Sequence, residues 1–146
     1  MIKIQKDKIN ITEQNKKLFK KKIGAIVTFI GIARPRNRLG KIKFIEIEYY
    51  PKMTEKKIEE IKILATKKWK LNHCIIIHRY GKIKPGESIV YVGTAAQHRN
   101  NAFKGCEFII DYLKVKAPFW KIEKLNNKKI FVKAKKKDEK KIKINY

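Results

Sequence analysis

The sequence has few cysteines, and none is spaced for a metal site. Only two of the 146 residues are cysteine: Cys74 in an apolar run and Cys106 on the apolar side of a predicted helix. Neither belongs to a CxxC or Cys/His pattern. Isolated thiols in apolar surroundings usually pack as small core residues. We therefore expect no metal site and no cofactor, and we favour two core thiols over a catalytic cysteine.

Long apolar runs and common catalytic signatures are missing as well. No stretch approaches the roughly 18 apolar residues of a membrane-spanning helix. The N-terminus alternates Ile with Lys and lacks the apolar segment of a signal peptide. There is no Walker loop and no Ser-His-Asp order, and Gly81, Gly86 and Gly93 are wrongly spaced for dinucleotide binding. We therefore expect a cytoplasmic protein with no membrane partner.

Acidic residues are scarce. The chain has 13 Asp and Glu against 38 Lys and Arg, which gives a formal net charge of +25. Such a charge suggests a polyanionic partner. However, most of it is lysine spread along the whole chain, which is typical of a composition bias on solvated faces. Arginine occupies only five positions. Where lysine is the default, an arginine indicates a need for a planar bidentate donor, so Arg34 and Arg99 are candidates for a functional role.

The chain length suits one domain, residues 1–146, in which 136–146 form a charged tail whose last residues we expect to be mobile. Hydrophobic periodicity and turn residues predict the following elements. They are an edge strand within 1–11, a helix at 12–21 capped by Thr12, a buried strand at 24–33, a strand at 41–50 paired with it as a hairpin, a helix at 54–69 capped by Thr54, strands at 73–79 and 87–96, a helix at 98–115, and a hairpin of 119–125 with 129–134. Hairpins mixed with helices indicate an α+β fold.

Two lysines lie on either side of a predicted break in the chain. Lys114 ends a helix with a clear apolar stripe, and Pro118 stops that helix, so Lys121 should stand on the strand that follows. Between them lies a corner made of Pro118, Phe119 and Trp120. Ammonium groups beside such a corner can hold an anion or, when desolvated, act as acid, base or nucleophile. A single lysine is usually just solvated, and only this placement makes the pair candidates.

Two further basic clusters suit an anion. The first is the loop from Arg34 to Arg38, with a solvated loop as its alternative. The second is the start of the late helix, where free backbone N–H groups, His98 and Arg99 can bind phosphate. The alternative there is that His98 simply caps the helix.

The spacing of these clusters predicts a second subunit. His98 and Lys114 are sixteen residues apart on one helix, which separates them by roughly 24 Å. One small substrate cannot touch both within a single chain. If all the clusters serve one pocket, a second subunit should supply one end of it, as a symmetric dimer with composite sites would.

Six segments, taken together, carry a resemblance to a known family. They are 24–34 (GAIVTFIGIAR), 50–55 (YPKMTE), 77–81 (IHRYG), 85–86 (PG), 98–99 (HR) and 111–121 (DYLKVKAPFWK). In this order and spacing, from about residue 24 to 134, the chain resembles the large, catalytic subunit of molybdopterin synthase. One departure is Lys135, which stands where other members often carry arginine.

The resemblance implies a fold and a reaction. The fold is an α/β-hammerhead, an α+β domain with an antiparallel sheet, hairpins and two main helices, which forms a homodimer within a heterotetramer. The partner is a small ubiquitin-like sulfur-carrier subunit whose Gly-Gly C-terminus is activated as a thiocarboxylate. Its sulfur passes to cyclic pyranopterin monophosphate, and two rounds build the dithiolene of molybdopterin for molybdenum cofactor biosynthesis.

The resemblance also implies site residues. The family's catalytic lysines match Lys114 and Lys121, which also contact substrate. The other substrate-binding positions match Ile32, Ala33, Arg34, His98, Arg99, Ile122 and Glu123. Lys114 would meet the incoming thiocarboxylate, while Lys121 would act as general acid or base.

Two alternatives compete with this interpretation. Charge alone favours a small basic nucleic-acid-binding protein, which should expose aromatic residues among basic ones along a strand face. Instead, Phe44, Phe103, Phe108 and Phe119 fall on apolar stripes or corners, where core packing explains them better. The second alternative is an inactive scaffold, against which the presence of both lysines argues.

Overall fold

The computed structural model describes residues 1–133 and 136–145, which contain four helices and ten strands. The helices are α1 (Ile11–Leu18), α2 (Met53–Trp69), α3 (Arg99–Lys116) and α4 (Lys136–Asn145). The strands are β1 (Ile2–Gln5), β2 (Ala25–Ile32), β3 (Arg36–Asn37), β4 (Gly40–Lys41), β5 (Phe44–Tyr49), β6 (His73–Arg79), β7 (Gly81–Ile83), β8 (Ser88–Ala96), β9 (Phe119–Lys124) and β10 (Lys129–Val132). The α+β prediction is confirmed, with α2 and α3 as the two main helices. None of the helices in these ranges is long and apolar enough to span a membrane.

One sheet supports the main helices. Its strand order is β1-β6-β8-β2, with β1 parallel to β6 and the other pairs antiparallel. The apolar stripes of α2 and α3 cover one face of this sheet, where Ile61 and Ile109 are fully buried with Ile76 and Val92. The short helix α1 covers the other face through Leu18. The predicted edge strand at the N-terminus is confirmed in β1.

A second sheet builds its own core. The order is β10-β9-β5-β7, all antiparallel. Its inner face buries Ile45, Ile47 and Ile83 together with Leu125. The predicted hairpin of β9 and β10 is confirmed. The two strands pair from Lys124 with Lys129 to Lys121 with Val132.

The predicted hairpin between the strands at 24–33 and 41–50 is wrong. β2 pairs with β8 in the first sheet, whereas β5 pairs with β7 and β9 in the second. The arginine-rich segment between them forms its own two-stranded ladder of β3 and β4. A period-two pattern identifies a strand and its buried face, but the choice of partner depends on residues far away in sequence.

Two predictions of burial are also wrong. β2 was expected to be buried, yet it forms the free edge of the first sheet, where Phe29 is 37% and Ile32 48% exposed. Phe103 was placed on the apolar stripe of the late helix, yet it is 63% exposed. These three side chains lie outside the core clusters formed by the described residues.

Both predicted helix caps differ in detail. α1 begins after Asn10, whose side chain accepts a hydrogen bond from the Glu13 N–H (3.1 Å), and not after Thr12. α2 has Lys52 at the N-cap with a φ of 64°, so Thr54 lies inside the first turn. The buried Thr54 hydroxyl accepts from the Tyr50 N–H (3.1 Å) and donates to the Pro118 carbonyl (3.2 Å). Thr54 therefore ties α2 to the corner after α3.

The charged tail contains a helix that the sequence analysis did not predict. α4 packs on α3, with Ile142 buried and the Lys141 ammonium 2.8 Å from Glu107 and 2.9 Å from Asp111. Lys135 lies outside the described residues.

Candidate active site

The two candidate lysines stand on either side of a sharp corner, as predicted. α3 ends at Lys116, Ala117 is extended (φ −78°, ψ 125°), and β9 begins at Phe119. The Phe119 N–H closes the turn on the Ala117 carbonyl at 2.8 Å. The Thr54 hydroxyl of α2 also donates a hydrogen bond to the Pro118 carbonyl, so the corner is held both by a bond within the turn and by a bond from α2.

A cavity of about 540 Å³ opens beside this corner. Lys114 from the last turn of α3 and Lys121 from β9 both line it. Arg34 and Ile32 reach it from the end of β2. The structure thus brings together four of the residues that the sequence indicated, two from the end of β2 and two from either side of the corner after α3.

The remaining candidates do not line this cavity. His98 and Arg99 lie at the opposite end of α3, and the His98 side chain makes no capping hydrogen bond to the helix. Ala33 is buried in the second core. Ile122 alternates with Lys121 along β9 and so points to the other face of its sheet.

Glu123 follows Lys121 by two residues along β9 and so lies on the same face of the sheet. It is buried, and its Oε2 accepts a hydrogen bond from the Asn37 amide at 2.7 Å. Its Oε1 has no hydrogen-bond partner within the described part of the chain. A buried carboxylate needs compensating charge, and the neighbouring Lys121 ammonium supplies it.

Lys121 has an unusual electrostatic environment. Burial lowers the pKa of its ammonium group, and the positive charges of Arg34 and Lys114 lower it further, while the negative charge of Glu123 raises it. Desolvation and like charges both disfavour the protonated amine. Lys121 is therefore better suited than a solvated lysine to exchange a proton near neutral pH.

Lys114 is more open to solvent. Its side chain is 54% exposed, and its ammonium group lies 2.9 Å from the Asp138 carboxylate of α4. An exposed ion pair of this kind contributes little to stability, so another anion can replace Asp138.

His78 is a site residue for which the sequence analysis gave no role, although it belongs to the quoted segment 77–81. It lies on β6 and lines the cavity. Its ring stacks on Phe119 with centroids 3.8 Å apart and planes 15° apart, and its Nδ1 is 2.8 Å from the Arg79 carbonyl oxygen. Burial lowers the pKa of His78 to about 4.

The thiols offer no nucleophile. Cys74 and Cys106 are core residues, as predicted, and burial raises their pKa values to about 12 and about 11. Across residues 1–133 and 136–145, no group of three His, Cys, Asp or Glu residues is arranged to hold a metal ion. The chemistry of the cavity therefore rests on amines, a guanidinium and an imidazole.

Comparison with known proteins places this cavity in a family context. Residues 4–116 match the sequence profile of the family described as MoaE protein. The molybdopterin synthase catalytic subunit of Vibrio cholerae is 42% identical over 123 residues, or 84% of this chain and 82% of that protein. The MoaE protein of Burkholderia ambifaria superposes with a TM-score of 0.83 at 38% identity, covering 97% of this chain and 95% of the other.

A third relative was solved together with a partner. The Helicobacter pylori structure is a protein–protein complex of subunits 1 and 2 of molybdopterin-converting factor, and it matches with a TM-score of 0.76 over 90% of each chain. At 24% identity this likeness establishes a shared fold.

Proposed function

The chain belongs to the MoaE protein family, the catalytic subunits of molybdopterin synthase, and from this membership we propose its reaction in detail. It transfers sulfur from a thiocarboxylated ubiquitin-like carrier subunit to cyclic pyranopterin monophosphate. Two transfers build the dithiolene of molybdopterin. The observation that carries this proposal is the cavity in which Arg34, Lys114 and a desolvated Lys121 converge.

The charge of the cavity suits both reactants. One carries a phosphate and the other ends in an anionic thiocarboxylate. The Arg34 guanidinium offers two parallel N–H donors to phosphate oxygens. His98 and Arg99 lie too far along α3 to join it from the same chain, so in this proposal they enter the cavity of a second subunit.

Lys114 receives the end of the carrier. Its ammonium group is near the cavity mouth and is held by Asp138 at 2.9 Å. An arriving thiocarboxylate takes the place of that carboxylate and gains a charge-assisted hydrogen bond. The interaction holds the sulfur close to the pterin, where its attack forms a thioester between carrier and pterin. Water then hydrolyses the acyl–sulfur bond, so the sulfur stays on the pterin and the carrier leaves as a carboxylate, whose charge Lys114 stabilises.

Lys121 moves protons. When sulfur attacks a carbon of the pterin, the oxygen that leaves that carbon takes a proton, and the water that later hydrolyses the thioester gives one up. An amine with a lowered pKa gives up its proton more readily than a solvated lysine does, and it can take one back. Burial lowers the pKa of Lys121 most, and the charges of Glu123 and Arg34 then adjust it in opposite directions.

The assembly and location follow from the same family. We infer a homodimer that binds one carrier subunit at each end, a heterotetramer of cytoplasmic location. We also infer that residues 1–146 act as one domain. The strong positive charge of the chain attracts an acidic carrier and raises the rate of association.

The test is reconstitution from purified components. The full chain is mixed with thiocarboxylated carrier and cyclic pyranopterin monophosphate, and molybdopterin is assayed. Lys114→Ala and Lys121→Ala should each reduce kcat/KM by about 100-fold or more, since each removes a group that acts on the reacting atoms. Lys116→Ala is the matched control, because Lys116 is exposed on the last turn of α3 and does not line the cavity.

The outcomes separate the alternatives. Normal turnover by Lys114→Ala would show that its assignment is wrong. Carrier binding without product from the unaltered chain would indicate a scaffold or another substrate. Salt-sensitive RNA binding in place of carrier binding would support the nucleic-acid alternative.

A further inference from the structure

The side chains that line the cavity differ in what they offer a ligand. Its charged groups, Arg34, Lys114, Lys121 and Lys133, are all cations that donate hydrogen bonds. His78 is the titratable lining residue that can remain neutral beside them. A cavity lined only by cationic donors would select ligands by their negative charge alone. A hydrogen-bond acceptor in the lining also requires the ligand to carry a donor at a defined position.

The structure determines which nitrogen of His78 is the acceptor. Nδ1 is 2.8 Å from the Arg79 carbonyl oxygen, and a carbonyl oxygen only accepts. Nδ1 must therefore carry the proton. In the neutral ring the lone pair is then on Nε2, which makes no hydrogen bond to the described residues.

The position of the ring is fixed as well. His78 lies within β6, paired with Val90 of β8 on one side and Ile4 of β1 on the other. Its plane stacks on Phe119, two residues before Lys121. A ring held by a hydrogen bond, a stacking partner and a central strand is preorganised and loses little freedom when a ligand binds.

We propose that His78 Nε2 is the hydrogen-bond acceptor of the substrate site and takes an N–H or O–H of the pterin ring system. This rests on the proposed function, since it names the part of that substrate that His78 recognises. The low pKa of His78, about 4, supports it, because burial and then the positive charge of Lys121 keep the ring neutral at physiological pH. His78 thereby selects a ligand that carries a donor as well as an anion.

Two substitutions separate recognition from structure. His78→Gln places a neutral amide near the position of Nε2, whereas His78→Asn retains a donor to the Arg79 carbonyl and leaves the Nε2 position empty. Binding of cyclic pyranopterin monophosphate is measured by calorimetry on the full chain, and KM and kcat in the reconstituted reaction. We expect His78→Asn to raise Kd and KM about 10-fold or more and His78→Gln to stay within about 3-fold.

A purely structural role predicts the reverse order, because Asn preserves the bond to Arg79 and Gln does not. That order, or equal behaviour of the two variants, would overturn the proposal. The unaltered protein gives a second readout if either variant fails to fold. On addition of the pterin, the ¹⁵N resonance of His78 Nε2 should move while that of Nδ1 stays, and an unmoved Nε2 resonance would also overturn it.

Failure of the proposed function has a different signature. If the unaltered chain binds the pterin but makes no molybdopterin with active carrier, the reaction is wrong and the binding data still decide on His78. If it does not bind the pterin, both proposals fall.

Discussion

At the scale of single residues, opposing charges control the Lys121 amine. Burial disfavours protonation of the Lys121 amine, and so do the cavity residues Arg34 and Lys114, whereas the nearby Glu123 carboxylate favours it. Glu123 is buried with one oxygen held by Asn37. The carboxylate is therefore a positioning residue, which sets the proton affinity of Lys121.

Replacing that carboxylate should move the pKa of Lys121 in a known direction. Glu123→Gln removes a negative charge but retains an acceptor for the Asn37 amide, so the pKa of Lys121 should fall further below its ordinary value. The measurement is an NMR titration of the lysine side chains labelled at the ε carbon. An unchanged or higher pKa for Lys121 would contradict this account.

His78 should make stability depend on acid. Its pKa is about 4 in the folded chain and about 6.5 when unfolded. Between these values the unfolded chain binds a proton that the folded chain does not, so the free energy of unfolding decreases as pH falls through that window. Below about pH 4 both states are protonated and the loss is complete, at about 1–3 kcal/mol.

Urea unfolding near pH 7 and near pH 4.5 measures this effect. His78→Gln lacks the titrating ring, so it should lose less stability on acidification than the unaltered chain. Parallel losses in the two proteins would show that His78 is not the group responsible.

At the scale of elements, the corner after α3 depends on a side chain from α2. The Thr54 hydroxyl bridges the Tyr50 N–H and the Pro118 carbonyl, and it is fully buried. Its two hydrogen bonds join the start of one main helix to the end of the other. The separation between Lys114 and Lys121 is therefore maintained by a residue that does not touch the cavity.

Thr54→Val tests that connection, because valine has nearly the same shape without the hydroxyl. We expect the free energy of unfolding to decrease by about 1–3 kcal/mol, since a buried N–H and a carbonyl lose their partner. Thr12→Val on the exposed side of α1 is the control and should change stability by less than about 0.5 kcal/mol. A Thr54 variant as stable as the control would show that the corner holds without the bridge.

At the scale of the whole molecule, the basic groups fall at two ends of α3. Lys114 lines the cavity, whereas His98 and Arg99 lie at the far end of the helix. The edge strand β2, with Phe29 and Ile32 exposed, pairs with β8, which ends shortly before His98. These features suit a dimer in which each subunit completes the site of the other.

Mixing two variants of low activity tests whether each site is built from both subunits. Arg99→Ala and Lys121→Ala should each be weakly active, but their heterodimer contains one pocket with both residues intact. Random mixing then restores about a quarter of the unaltered activity, because half of the dimers are heterodimers with one good site each. Activity that stays at the level of the separate variants would show that Arg99 serves the cavity of its own chain or none.

Much of the fold could be predicted because its signals are local. The strand at His73–Arg79 was predicted with its observed bounds, and α2 and α3 within one residue at each end, since long periodic segments specify their own type. α4 was missed because its lysine-rich sequence has no apolar period, and its contacts come from carboxylates on α3.

The candidate site was predicted in part for similar reasons. Lys114, Lys121 and Arg34 could be recognised from their place beside a break or a strand end. His78 could not be assigned a role, because its neutrality, tautomer and stacking partner all come from groups distant in space or on the backbone. The arginines also differ in role. Arg79 is buried, forms an ion pair with Glu87 and donates a hydrogen bond to the Ser88 carbonyl, a structural role that its sequence context did not reveal.

Local sequence specifies the family, the two main helices, the longer strands and the chemical character of the site. These features depend on the spacing of apolar residues and on the identity of residues close together in sequence, which are the same before and after folding. Only the tertiary structure decided which strands pair, which lysine is desolvated, and that an imidazole acceptor lies among the cations. Those properties depend on burial and on charges from segments far apart in the chain, so they exist only once the two sheets have packed.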